Sequence, residues 1–222
     1  MHEYSRIRVE LEMATQNKLE VFRPFGPSIA KFKMSPKLVN LLNQYVDQQL
    51  DSGQAGKNDF GHKLAGNVKQ EFRIEFEFVQ ECGLLEALAK GTQTWIKTER
   101  NQEISKFNLL DCWIVRQFRN EYNPAHIHSG HISGVGYLKL PDNFGDTVQS
   151  SKSRNKNGNI EFVHGQKAFL SESISTMVPS IGDFYLFPHY MMHSVYPFDA
   201  VGERRSISFN AKIDDAIYSR FG

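Results

Sequence analysis

Two short stretches of the chain hold the residues best equipped for chemistry. The first is Asn123-Pro124-Ala125-His126-Ile127-His128-Ser129-Gly130-His131, which runs directly into the strand-like Ser133-Gly134-Val135-Gly136-Tyr137-Leu138-Lys139-Leu140-Pro141. In an extended backbone, residues two apart face the same way, so the imidazoles of His126 and His128 project side by side, as a metal ion requires. The second is Phe187-Pro188-His189-Tyr190-Met191-Met192-His193-Ser194-Val195-Tyr196-Pro197, the source of a further ligand from a later strand. Its two histidines are four apart, and Pro188 argues against a helix that would bring them together. Neutral imidazole suits Fe, Zn, Cu and Ni, and three on rigid strands leave coordination positions open for substrate or water. His131 falls on the opposite face of any regular strand, His164 beside Gly165 reads as a turn residue, and His2 and His62 belong to a terminus and a loop.

Beyond these stands Arg204, opening Arg204-Arg205-Ser206-Ile207-Ser208-Phe209-Asn210. Arg204, Ser206 and Ser208 share one face of a strand while Ile207 and Phe209 share the other. If the apolar face packs on the core, the arginine faces a barrel interior, where it needs an anionic partner that this strand does not supply. The carboxylate of a ligand, bound as a bidentate pair, satisfies it. The plainer alternative is a surface cation beside Glu203 and Arg205.

The elements that must position these groups follow from patterning. Ser35-Pro36 places a capping residue before a proline at the first helical position. Leu38, Leu41, Leu42, Tyr45 and Val46 then keep the helical period, which predicts a helix from about Pro36 to Leu50. A second helical pattern covers Leu84 to Ile96, with Trp95 read as core. Extended segments are expected at Ile7–Met13, Leu19–Phe22, Ile29–Lys33, Glu71–Phe78 and Phe107–Phe118. Later ones are expected at Ile160–Val163, Thr176–Val178, Asp183–Phe187, His193–Tyr196 and Arg205–Ile213. Asp51–Asn67 reads as a loop, and Asp142–Asn159 as a solvated polar insertion for which a substrate lid is the alternative.

Composition bounds the rest. A chain of 222 residues with 40% hydrophobic and 23% charged content is that of a soluble globular protein with a substantial core. No apolar run approaches the ~20 residues of a membrane span. The N-terminus lacks the layout of a secretion signal, so a cytoplasmic or equivalent intracellular location is expected. Lys plus Arg (26) and Asp plus Glu (25) nearly cancel, so no global field draws the protein to nucleic acid or an anionic membrane. Cys82 and Cys112 form no CxxC and read as buried thiols. With no repeat, linker or change of composition, one domain is expected over 1–222, with supporting helices and edge strands in 1–106 and a metal-binding core in 107–213.

From Phe107 to Ile213, roughly half its length, the chain resembles the Fe(II)/2-oxoglutarate-dependent dioxygenases, in particular the compact prolyl-4-hydroxylase-like branch. The resemblance rests on His126-Ile127-His128 before Ser133-Gly134-Val135-Gly136-Tyr137-Leu138, on Phe187-Pro188 before His193-Ser194-Val195-Tyr196-Pro197-Phe198, and on Arg204 to Asn210. It implies a mainly β fold with flanking helices, a double-stranded β-helix (jelly-roll or cupin-like) barrel buttressed by N-terminal helices. It further implies iron on His126, His128 and His193, with the far carboxylate of 2-oxoglutarate on Arg204 and Ser206, assisted by Tyr137. Fe(II) and 2-oxoglutarate are then the cofactors, with ascorbate as a possible addition, and a C–H bond of a small-molecule or peptide substrate is hydroxylated as 2-oxoglutarate and O2 become succinate and CO2.

One departure stands out. The common ligand pattern is His-x-Asp or His-x-Glu, and here His128 holds the carboxylate position. A three-histidine site, a carboxylate from elsewhere such as Asp142 or Asp146, and an open position filled by water or chloride are the available answers. Two other functions compete: a three-histidine cupin-type metalloenzyme that does not use 2-oxoglutarate, and a non-catalytic jelly-roll module.

Overall fold

A computed structural model of the chain describes residues 19–23, 26–149 and 151–221. In chain order the elements are β1 (Glu20–Phe22), β2 (Ile29–Lys33), α1 (Pro36–Asp51), α2 (Gln54–Lys57), a 3-10 turn (Gly61–Lys63), β3 (Gln70–Arg73), α3 (Phe76–Glu81), α4 (Leu84–Arg100), β4 (Phe107–Gln117), β5 (Asn123–His126), β6 (Ile132–Lys139), β7 (Ile160–Val163), β8 (Ile174–Met177), β9 (Asp183–Pro188), β10 (Met192–Val195), β11 (Arg204–Ile213) and α5 (Asp215–Phe221). The strand expected at Ile7–Met13 lies outside the described residues, as do two residues of the turn at 23–27.

Helix α1 starts where the sequence places it: Ser35 Oγ accepts the Leu38 N–H at 3.2 Å, and Pro36 occupies the first turn, where no N–H is needed. Its buried stripe of Leu38, Val39, Leu42, Tyr45 and Val46 faces the core. Helix α4 buries Leu84, Leu88 and Trp95, and the Trp95 indole N–H donates to Ser28 Oγ at 2.9 Å, which makes Trp95 a packed core residue with its polar atom satisfied.

Strand β11 explains why the strands form two layers. It lies in the middle of a seven-stranded sheet of order β1-β2-β9-β6-β11-β4-β3, paired antiparallel with β4 and β6. Ile207, Phe209 and Ala211 point to the helix side and join Ile114, Phe184, Leu186 and the stripes of α1 and α4 in one apolar cluster. Each large side chain so buried contributes about 1.5–3 kcal/mol. The opposite face looks towards a four-stranded sheet of order β5-β10-β7-β8, where Val135, Tyr137, Phe162, Tyr185 and Phe187 make a second, smaller apolar cluster. The alternation in β6 follows the same division. Ser133, Val135 and Tyr137 face inward, while a side-chain carbon at Gly134 would stand 2.6 Å from the Phe209 ring, so only glycine lets the helix-side aromatics close over the strand. Two facing antiparallel sheets with helices on one outer face are the double-stranded β-helix expected from the resemblance.

The run Glu71–Phe78 does not stay extended. Strand β3 ends at Arg73 and α3 begins at Phe76. Phe72, Ile74, Phe76 and Phe78 keep a two-residue period, but tertiary contacts override it. The Glu75 N–H donates to the Tyr45 hydroxyl at 3.3 Å, and the Phe78 ring stacks on Tyr45 with centroids 4.0 Å apart, which turns the chain onto α1. Cys112 is buried as expected, whereas Cys82 is only partly so. The insertion 142–159 carries no helix or strand among its described residues, yet it is tied together: Asn157 Nδ2 donates to the carbonyls of Phe144 and Asp146 at 3.1 Å each, and Asn155 Nδ2 to that of Gly145 at 2.6 Å. Among the described residues no helix is long and apolar enough to cross a membrane.

Candidate metal and cosubstrate site

Strand β5 ends at His126, and its partner β10 places His193 directly opposite. His128 lies just beyond the end of the strand, where its backbone N–H donates to the His189 carbonyl at 2.9 Å. The local reading therefore needs one amendment: the pair is carried by a strand end and the extended residues after it. The three rings nevertheless converge. Ring centroids are 4.3 Å apart for His126 and His193, 4.9 Å for His128 and His193, and 5.1 Å for His126 and His128. One nitrogen from each lies within 4.8 Å of the others, and no Asp or Glu among the described residues joins the group, Asp142 and Asp146 included.

The hydrogen bonds behind the rings decide which nitrogens face one another. Nδ1 of His126 lies 2.7 Å from the Pro124 carbonyl, Nδ1 of His193 lies 2.8 Å from the Met191 carbonyl, and Nδ1 of His128 lies 2.8 Å from Asn210 Oδ1. A carbonyl oxygen can only accept, so each Nδ1 carries the hydrogen and each Nε2 keeps its lone pair. Burial favours the neutral rings: it pushes His128 down to about 4, His193 well below the usual histidine value, and His126 down. The result is two lone pairs 3.2 Å apart at the Nε2 atoms of His126 and His128, a repulsive arrangement that a cation between them relieves. Three imidazole nitrogens with fixed tautomers fit a divalent transition metal such as iron.

Arg204 occupies the other end of the inward face of β11 and is only 1% exposed. Nε donates to the Gly158 carbonyl at 3.1 Å and Nη1 reaches Ser206 Oγ at 3.5 Å, while Nη2 is buried with no partner. The guanidinium carbon lies 5.0 Å over the ring of Tyr137, whose own buried hydroxyl is also without a partner and is pushed by burial up to about 12. The nearby carboxylate does not help. Glu203 is held by Arg205 Nε at 2.9 Å and Arg116 Nε at 2.7 Å, so that, although burial raises it, the two guanidiniums bring it down to about 2. A buried guanidinium with an idle N–H costs free energy until an anion arrives, and Arg204 with Tyr137 and Ser206 offers donors for a carboxylate.

The three histidines, Arg204, Ser206 and Ser208 line one cavity, completed by Trp113, Val115, Glu71 and Asn123 among others. His131 and His189 belong to the support. The His131 ring stacks on Tyr218 of α5 at 3.8 Å and accepts the Ile213 N–H, and His189 contacts the Tyr218 hydroxyl at 2.8 Å. Sequence reasoning gave no role to Asn210, although it falls on the same alternating face as Arg204, Ser206 and Ser208. It also passed over Glu71 and Asn123, for which no local signal exists.

Residues 111–210 match the model of the family described as "Putative 2OG-Fe(II) oxygenase", a segment that holds all three histidines and Arg204. Comparison with curated protein sequences gives no match. Among solved structures, a Pseudomonas putida prolyl-4-hydroxylase is similar with a TM-score of 0.55 at 15% identity, over 82% of this chain and 91% of that one. A Trichoplax adhaerens prolyl hydroxylase, in complex with a peptide of the hypoxia inducible factor oxygen degradation domain, gives 0.54 at 12% identity over 87% of each chain. HygX from Streptomyces hygroscopicus, with nickel and 2-oxoglutarate bound, gives 0.51 at 13% identity over 86% and 80%. At such identities the structural likeness is one of fold, and the family match falls on the strands that carry the converging rings. Together they give residues 111–210 the pattern of that oxygenase family and the described chain the fold shared by these prolyl hydroxylases.

Proposed function

We propose that His126, His128 and His193 hold Fe(II) through Nε2, that Arg204 and Ser206 grip the far carboxylate of 2-oxoglutarate with Tyr137 assisting, and that the enzyme hydroxylates a C–H bond of a small-molecule or peptide substrate. Iron and 2-oxoglutarate, when bound, supply the oxidising chemistry: 2-oxoglutarate, O2 and the substrate C–H become succinate, CO2 and C–OH. The chain's own part is to orient and to exclude water. The carbonyls behind the rings lock their tautomers, and Phe187 and Trp113 wall off His128 with ring centroids 6.2 and 5.6 Å away. The described residues are proposed to act as a single catalytic domain.

The observation that carries this reading is the unpartnered Arg204 Nη2, buried in the same cavity as three nitrogen lone pairs. A cupin-type enzyme without 2-oxoglutarate, or a non-catalytic module, leaves that guanidinium with no anion to meet. Three neutral ligands also leave the charge of the ion uncompensated, so the dianionic cosubstrate should tighten iron binding and be tightened by it. Anaerobic titration of the Fe(II)-loaded protein with 2-oxoglutarate is the test. A visible charge-transfer band, followed by succinate release on admitting oxygen, is expected; no band removes 2-oxoglutarate from the site.

A further inference from the structure

Among the described residues Glu71 is the one carboxylate lining the cavity, and neither the proposed metal site nor the proposed cosubstrate site uses it. It lies on β3, the edge strand, opposite Val115 of β4; Val115 in turn lies opposite Ser206, and Ser206 opposite Tyr137. These four residues form one row across the inward face. Two strand spacings separate Glu71 from Ser206, about 10 Å. The carboxyl group is therefore displaced sideways from the grip on the cosubstrate, where a second anion would be repelled by a dianionic ligand.

Its surroundings are built for a carboxyl with nothing attached. Glu71 is 3% exposed, and among the described residues no hydrogen bond or cation acts on its side chain. The segment 64–67 closes over it: a side-chain carbon at Gly66 would stand 2.8 Å from Oε1, so glycine is what leaves the carboxyl its room. The same segment joins the two sheets, since Asn67 N–H donates to the Tyr122 carbonyl at 2.9 Å and Tyr122 N–H to that of Asn67 at 3.3 Å. This link ties the approach to β3 to the residue preceding Asn123, whose Oδ1 is a buried acceptor without a partner among the described residues, in the same cavity. Buried polar atoms without partners are uncommon in folded proteins. Here an unpartnered amide oxygen and an ionisable carboxyl line one cavity, and among the described residues no donor is directed at either.

We propose that Glu71 and Asn123 form the substrate subsite and select a substrate carrying a protonated nitrogen, an ammonium or guanidinium, that donates to both acceptors. The proposal rests on the oxygenase reading and names its substrate class. A nitrogen cation held there replaces the missing donors and the missing counter-charge together, while the rest of the substrate extends towards the histidines.

The test uses the full chain loaded anaerobically with Fe(II) and 2-oxoglutarate, titrated calorimetrically with n-butylammonium, n-butylguanidinium and the neutral N-butylacetamide. One of the cations should bind saturably to the wild type. Glu71→Gln, which keeps shape and removes charge, should weaken that binding about tenfold or more and leave N-butylacetamide unaffected. Glu71→Asp should recover part of the loss. Absence of saturable cation binding to the wild type, or equal binding to wild type and Glu71→Gln, overturns the proposal while the visible band persists. A missing band overturns the oxygenase reading and the substrate proposal with it, and the band itself tells the two failures apart.

Discussion

The ring of His128 is steered by a residue 82 positions later: His128 Nδ1–H donates to Asn210 Oδ1 at 2.8 Å, and the same oxygen accepts the Ser133 hydroxyl at 2.8 Å. His126 and His193 lean on backbone carbonyls, so His128 is the one of the three whose orientation depends on another side chain. Asn210→Ala should free the ring to rotate and change tautomer, lowering iron affinity about 10- to 100-fold with the fold intact. Competition against a chelator of known affinity measures this, and an unchanged iron constant would remove Asn210 from the metal's support.

Arg204 separates cosubstrate binding from stability. Arg204→Met should raise the 2-oxoglutarate requirement by the worth of a lost charge-assisted pair, about 2–3 kcal/mol. Without 2-oxoglutarate the same change removes a buried, incompletely paired charge, so unfolding free energy should stay level or rise by up to about 2 kcal/mol. Denaturant titration with and without 2-oxoglutarate gives both numbers. A large loss of stability without ligand would mean that the cation is already satisfied within the fold.

With histidine at position 128, no carboxylate joins the three rings among the described residues. His128→Asp should strengthen iron retention in the absence of 2-oxoglutarate by about 1–2 kcal/mol, because a carboxylate offsets part of the ion's charge. His193→Ala should abolish retention. Metal analysis after gel filtration checks both, and a fully loaded His193→Ala protein would place the distal ligand elsewhere.

Glu71 sets a pH dependence whose sign is fixed by burial. Burial first, then the negative charge of Asp59, raises its pKa from 4.5 to about 7. Among the described residues no cation on the elements packed against it offsets them. Between these values the unfolded chain has lost the proton while the folded one keeps it, so stability falls as pH rises from 4.5 through 7 and is level again above. The full difference is at most about 3 kcal/mol. In Glu71→Gln this slope should vanish, making the variant the more stable protein at pH 8; parallel wild-type and variant curves in urea between pH 5 and 8 would exclude Glu71 as the source.

The sequence made the long strands and their inward faces readable because alternation is a local property. Arg204, Ser206 and Ser208 against Ile207 and Phe209 offered an inward arginine beside the alternative of a surface cation, between which its 1% exposure decides, and His126 with His128 offered two rings on one face, which do converge. What stayed hidden depends on register. The residues alone left His189 and His193 open and only the resemblance named His193; the physical reason is that β10 aligns residue 193 with 126, while His189 is drawn to Tyr218. Glu71 looked like any charged residue on an alternating run, and its meaning comes from the edge strand that carries it and from Gly66 folded over it. The α3 turn stayed hidden because a contact with Tyr45, about thirty residues earlier, outweighed a local two-residue period.

Because the Gly158 carbonyl accepts from Arg204 Nε, the polar excursion 142–159 is fastened at its far end to the guanidinium proposed to grasp 2-oxoglutarate. Ligation that fixes this side chain therefore also fixes the end of the excursion, and by reciprocity any restraint on the excursion is felt as cosubstrate affinity. Trypsin cleavage at Lys152 or Arg154 becomes a gauge of occupancy, slowing as 2-oxoglutarate fills the barrel.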